Sequence, residues 1–214
     1  MSSIRYVLLS DGSSDRMLLL ILDWLLHRYC PDYALESEWA DLRRLSQPPK
    51  KLSDRIRKSV KIYEPDLLFI HRDAENQSYE SRHREIETAL AGLTKPPAVC
   101  VIPVRMQEAW LLFDEVAIRR AAGNPNGRLP LHLPAMSTLE VLPNPKELLF
   151  SLIGTASELS STRLKNLRPR QRAHLVAQNI EDFKPLQELS AFRALETELV
   201  DVVRRAGWAS EFNG

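Results

Sequence analysis

Apolar positions along the chain follow two periods. Four short runs have β character: "RYVLLS", "YALESEW", "DLLFIHRD" and "AVCVIPV". The first, third and fourth are nearly continuous in apolar residues, as strands buried on both faces are. "YALESEW" alternates, which predicts a strand near a sheet edge. Between and after these runs the spacing becomes helical. A helix is expected over about Ser14 to Tyr29, apolar on almost all sides and stopped by Pro31. "LSDRIRKSVKIY" repeats apolar residues at Leu52, Ile56, Val60 and Tyr63, and "YESRHREIETALAGL" reads as amphipathic. "QEAWLLFDEVAIRRAAG" starts a helix directly after the last strand. Strands alternating with helices imply an α/β fold: a mostly parallel, Rossmann-like sheet with helices on both faces.

The pattern changes after Gly123. Residues 123–145 hold five of the 14 prolines with little periodicity, and read as an ordered insert or a flexible linker. Three helical stretches follow: "PKELLFSLIG", "PRQRAHLVAQNI" and "LSAFRALETELVDVVRRAG", the last with a cap-like Ser190 and a stop at Gly207. The expected organisation is an α/β domain over residues 1–122, the Pro-rich insert over 123–145, and a C-terminal helical segment over 146–214 packed on the α/β domain.

Composition adds exclusions. With 44% hydrophobic and 27% charged residues the chain is ordinary globular protein, and its net charge of +1 sets up no global field for nucleic acid. Cys30 and Cys100 lack CxxC spacing and lie beside apolar runs, as buried thiols of a reducing compartment do. The first residues do not read as a signal peptide, and the run from Met17 to Leu26 is too short to span a bilayer. A soluble, cytoplasmic protein without membrane partners is the expectation. Ser-His-Asp, P-loop and zinc spacings are not evident.

Chemistry collects at the strand ends. In open parallel sheets, function gathers beyond the carboxyl ends of the strands. Here Asp11 follows the first strand, Asp73 and Glu75 the "LLFIH" strand, and Glu108 "VCVIPV". If the first and "LLFIH" strands are neighbours, about 4.8 Å apart, Asp11, Asp73 and Glu75 converge within metal-bridging range. Hard ions such as Mg²⁺ take such oxygen ligands, and paired ions serve phosphodiester cleavage. Each acid also has an ordinary reading: Asp11 as a turn or cap residue, Asp73 and Glu75 as a solvated loop, Glu108 as a first-turn helix acid. Asp15 suits the positive end of a helix dipole, and His71 reads as the last strand residue. Basic residues cluster in two segments. Residues 43–61 hold eight lysines and arginines against Asp54, and "RLKNLRPRQR" holds Arg163, Lys165, Arg168, Arg170 and Arg172 without an acid. The first reads as a solvated face. Arg163, Arg168, Arg170 and Arg172 of the second are candidates for phosphate contact. Lys165 is a candidate for stabilising charge on a transferring phosphate. Trp24, Trp110 and Trp208 read as packing residues, and Trp39 is open.

"YVLLSDGSSDRMLLLIL" resembles the first motif of Toprim domains, in which a strand ends in an acid followed by glycine. "DLLFIHRDAEN" resembles their aspartate-rich second motif. "PVRMQEAWLLFD" is similar to a segment of a family of small Toprim-like bacterial proteins related to the overcoming-lysogenization-defect nucleases and associated with phage-defence loci. "DFKPLQELSAFRALETEL" adds a weaker C-terminal likeness. The resemblance covers residues 4–114 in three short pieces. It implies cleavage of a nucleic-acid backbone, DNA or RNA, dependent on Mg²⁺ or Mn²⁺, with an ATPase partner. Asp11, Asp73 and Glu75 would then be the metal-binding acids, and Asp11 and Glu108 catalytic ones. Two departures stand out: Asp11 replaces the usual glutamate, and the second pair is Asp-x-Glu rather than Asp-x-Asp. No tyrosine is placed for covalent attachment, so hydrolysis is expected over rejoining. The alternative is a non-catalytic Toprim-like adaptor or nucleic-acid-binding subunit. A phosphoreceiver-type domain fits less well, given the Asp73/Glu75 pair and the length.

Overall fold

A computed structural model describes residues 2–209. Four strands, β1 (Ser3–Leu9), β2 (Ala34–Trp39), β3 (Leu67–His71) and β4 (Ala98–Val101), form one sheet in the order β2-β1-β3-β4. Every pairing is parallel, with Leu8 opposite both Trp39 and Phe69, and Ile70 opposite Cys100. The architecture is the Rossmann-like α/β sheet that the alternation of strands and helices predicts. The first and "LLFIH" strands are neighbours, and β2 is an edge strand.

Strand residues alternate between two apolar cores, as a pleated sheet requires. Ile4, Tyr6, Leu8, Leu67, Phe69, Val99 and Val101 enter the larger core, together with α1 (Leu18–Tyr29). Val7, Leu9, Leu68, Ile70, Cys100 and Ile102 enter the smaller one, under α2 (Leu52–Tyr63) and α3 (Tyr79–Leu90). The remaining helices extend the larger core. They are α4 (Glu115–Ala122), α5 (Pro145–Ser157), the short α6 (Ser161–Leu164), α7 (Pro169–Asn179) and α8 (Ser190–Ala206). Buried Leu149, Ile153, Val176, Leu195 and Leu199 make it continuous from β1 to α8. Trp110 meets Phe192 edge to face at 5.4 Å, a contact worth about 0.5–1.5 kcal/mol beyond the area it buries.

The structure departs from the helix expectations in two places that matter for the site. Residues Ser13–Met17 and Gln107–Leu111, each following a strand end, wind as 3-10 turns before an α-helix begins. Asp114 then starts α4 afresh by accepting the Ala117 amide at 2.9 Å. The Pro-rich insert is ordered: Leu131 and Leu139 are buried in the larger core. Its backbone is tied down as well, since Glu158 accepts the amides of Arg128 and Leu129. At α8 the cap-like Ser190 proves to be the first helical residue, after Leu189, and its hydroxyl donates to Glu140 at 2.7 Å. Gly207 ends that helix in the left-handed region, at φ 71°, which costs glycine little.

Candidate active site

Three carboxylates gather at the carboxyl edge of the sheet. Asp15 sits in the 3-10 turn after β1, Asp73 two residues past β3, and Glu108 in the 3-10 turn after β4. Asp15 and Glu108 are buried, at 6% and 2% exposure. Gln107 joins two of them: its backbone amide donates to Asp73 Oδ1 at 3.0 Å, and its side-chain amide donates to Asp15 Oδ1 at 2.8 Å. Asp15 Oδ2 accepts the Gly12 amide at 2.8 Å, and Ser14 donates to Oδ1 at 3.0 Å. The tight turn folds this carboxylate back over the strand end. His71, the last residue of β3 and 3% exposed, lies beneath. Its Nδ1 donates to the Val101 carbonyl at 3.0 Å, which leaves Nε2 to face Asp73 Oδ1 at 3.5 Å. A carbonyl only accepts, so Nδ1 carries a hydrogen and the ring is held in place by Val101.

The electrostatics divide the acids. Burial pushes the Asp73 carboxyl up from the ordinary 3.8 to about 6; Glu108 and Asp15 add to the rise, while His71 and the Gln107 amide oppose it. Burial acts the same way on Asp15, but His71, the Gly12 amide, Gln107 and Ser14 outweigh it and hold its carboxyl below the usual range. Neighbouring carboxylates that crowd one another are what a cation relieves. Glu108 Oε1 is paired with Lys146 of α5 at 2.9 Å, whereas Oε2 is buried without a hydrogen-bond partner. Gln107 Oε1 is stranded in the same way. Acceptor-only oxygens left unpaired cost free energy that a hard cation would offset, but among the described residues Asp15, Asp73 and Glu108 do not bring three ligand atoms within 4.8 Å of one another.

A cleft of about 650 Å³ opens beside Glu108, the one of the three acids that lines it. Its charged lining comes from Arg16, Arg43, Arg44, Lys146 and Arg170, with Asp41 ion-paired to Arg43 and Arg44 and with Glu108 at its wall. The guanidinium groups of Arg16 and Arg43 lie 5.9 and 4.9 Å from the centroid of the Trp39 ring, whose Nε1 donates to Ser10 at 2.9 Å. The two basic segments of the sequence thus meet at one opening, although about 120 residues separate them.

The other candidate residues lie elsewhere. Asp11 follows β1, but its carboxylate is exposed and ion-paired with Arg55 of α2 and with Arg72, the latter at 2.7 Å. Glu75, exposed and at φ 54°, turns to Arg82 at 3.5 Å. Among the described residues, Asp11, Asp73 and Glu75 do not bring three ligand atoms within 4.8 Å of one another. Arg163, Lys165 and Arg168 are exposed and are not among the cleft-lining residues. Arg172 is half-buried and donates to the carbonyls of Ala121 and Leu167, an interior role that ties α7 to α4. Sequence reasoning read Asp15 only as a helix-dipole acid and passed over Gln107 and Lys146. Nothing in the spacing of "DGSSD" singles out Asp15 over Asp11; the 3-10 turn at Ser13–Met17 does. Comparison with protein-family models, with curated proteins and with solved structures finds no match, so any assignment of function rests on this site.

Proposed function

We propose that the chain is a divalent-metal-dependent phosphoesterase that cleaves a nucleic-acid backbone, in keeping with its resemblance to Toprim-like nucleases. One observation carries this reading: Asp15, Asp73 and Glu108 crowd the sheet edge beside a cleft lined with cations. Acids alone suit an ion, and cations alone suit an anion; together they suit a phosphate that reacts at a metal. Asp15, Asp73 and Glu108 would hold Mg²⁺ or Mn²⁺, which supplies charge stabilisation to the reacting phosphate. Gln107 keeps Asp15 and Asp73 in register through its two donors. Lys146, paired with Glu108 and lining the cleft, takes the charge-stabilising place that the sequence suggested for Lys165. Arg43, Arg44 and Arg170 receive the flanking phosphates.

The second reading is a non-catalytic adaptor or nucleic-acid-binding subunit. It is favoured by the acids' spacing, because Asp15, Asp73 and Glu108 do not bring their ligand atoms within 4.8 Å of one another. An ATPase partner and a role in phage defence rest on the resemblance. The test is cleavage of single-stranded DNA, duplex DNA and RNA with Mg²⁺ or Mn²⁺, by the wild type and by Asp15→Asn and Asp73→Asn. Either variant is expected to lose more than the roughly 10–100-fold that removing an outer-shell partner costs. Nucleic-acid binding with no cleavage and no divalent-ion binding would favour the adaptor.

A further inference from the structure

A second cluster of metal-type ligands lies away from the acid edge. Ligand atoms of His83, Cys100 and Glu198 all lie within 4.8 Å of one another. They come from three elements: α3, the edge strand β4 and the C-terminal helix α8. β4 is the last strand of the sheet, so its outer amides have no strand to pair with. Glu198 reaches across from α8 and accepts the Cys100 amide at 3.0 Å. On its other side His83 is already oriented. Its ring stacks on Tyr79 with centroids 5.8 Å apart, and its Nδ1 lies 3.6 Å from Glu87. A carboxylate beside a histidine ring is the usual outer partner that orients a metal-binding imidazole.

We infer that His83, Cys100 and Glu198 form a binding site for a thiophilic divalent ion of the zinc class, distinct from the oxygen-lined Mg²⁺-type site. The donor set decides the class. One nitrogen, one sulfur and one oxygen suit Zn²⁺, which takes four tetrahedral ligands; Mg²⁺ prefers oxygen alone. The fourth position goes to water. Without metal the thiol donates to the Glu198 carboxylate; burial first, and then Glu198, push the Cys100 thiol well up, and burial raises Glu198. On binding, the thiol gives up its proton to solvent and the sulfur–metal bond takes its place, so one proton leaves per ion bound. The ion fastens α8 to the exposed sheet edge and to α3. Its role is structural, and it does not depend on the phosphoesterase reading.

The experiment uses the full chain, stripped with a chelator and titrated with Zn²⁺ and with Co²⁺. One equivalent should bind at this site, with a sulfur-to-metal charge-transfer band and the visible bands of tetrahedral Co²⁺. Free Zn²⁺ at a hundred times Kd should raise Tm by roughly 5–10 °C. Cys100→Ser should abolish the charge-transfer band and weaken Zn²⁺ binding at least about 10-fold. Asp73→Asn should leave the charge-transfer band unchanged. Cys100 is buried, so His83→Gln, at a half-exposed position, is the second variant and should weaken binding comparably. Failure to bind Zn²⁺ stoichiometrically would overturn the inference. So would a charge-transfer band that survives in Cys100→Ser, or wild-type affinity in His83→Gln.

Discussion

Replacing Asp73 by asparagine should make the metal-free protein more stable, and only above a definite pH. The rise of its carboxyl from 3.8 to about 6, at about 1.36 kcal/mol per pH unit, amounts to about 3 kcal/mol. The side chain is 26% exposed, so solvent does not screen most of that. A raised carboxyl binds its proton more tightly in the folded chain than in the unfolded one. Wild-type stability therefore falls as pH rises from about 4 to about 6, and the full penalty stands above 6. Asparagine has no charge to desolvate, and its Oδ1 can still accept the Gln107 amide. At pH 8 in chelator, Asp73→Asn should melt up to roughly 6–12 °C higher than the wild type, given about 2–4 °C per kcal/mol for a chain of this size. The gap should close toward pH 4, where the wild-type carboxyl is protonated in both states. Adding Mn²⁺ should stabilise the wild type alone. Melting by circular dichroism across pH 4–8, with and without metal, reads all of this. Equal melting temperatures at pH 8, or a gap that stays constant down to pH 4, would refute the account of crowded acids.

Asp15→Asn should act in the opposite sense. Its carboxyl is held below the usual range in the folded chain, so its contribution stands above about pH 4 and is lost as pH falls further; at pH 7 a thermal melt should show a loss of about 1–3 kcal/mol, the worth of hydrogen bonds to a charged acceptor. Asp11→Asn removes two ion pairs of an exposed carboxylate; it should cost at most about 1 kcal/mol and leave calorimetric Mn²⁺ binding unchanged. Arg43→Ala and Arg170→Ala should each weaken binding of a labelled oligonucleotide and reduce the salt slope of log K by about 0.7–0.9. In the same anisotropy assay Arg163→Ala and Lys165→Ala, outside the cleft, should match the wild type.

The parts of the fold that follow from local periodicity were legible. Continuous apolar runs marked β1, β3 and β4, alternation marked the edge strand β2, and the spacing of Leu52, Ile56 and Val60 marked α2. Prolines obscured residues 123–145. Order there comes from distant partners, such as Glu158 on the Arg128 and Leu129 amides, which no local pattern announces. The site was legible only in outline. Strand ends pointed to the carboxyl edge of the sheet, where Asp73 and Glu108 lie past β3 and β4. Which other acid joins them was settled by turn geometry that spacing does not encode. Arg170 and Arg43 likewise read as members of separate segments, and only the packing of α7 against the turn after β1 brings their segments to one cleft.

Why Asp15 rather than Asp11 meets Asp73 follows from the turn between β1 and α1. A helix starting directly at Ser13 would leave Asp15 as a solvated first-turn acid. The 3-10 turn instead closes a ring, in which the Asp15 amide donates to the Gly12 carbonyl at 3.3 Å and Asp15 Oδ2 accepts the Gly12 amide. That ring places the carboxylate over the strand end, where Gln107 reaches it from the matching 3-10 turn after β4. Asp11, left outside the ring, becomes the bridge between Arg55 and Arg72 and ties α2 to the end of β3. To serve as a metal ligand it would have to give up both partners. Asp15 is held by neutral donors, Gly12 and Ser14 of its own turn and Gln107 of the turn after β4, and His71 nearby is locked by Val101. Two acids four residues apart thus take different places, Asp11 as an exposed bridge between Arg55 and Arg72 and Asp15 buried beneath the donors of Gly12, Ser14 and Gln107.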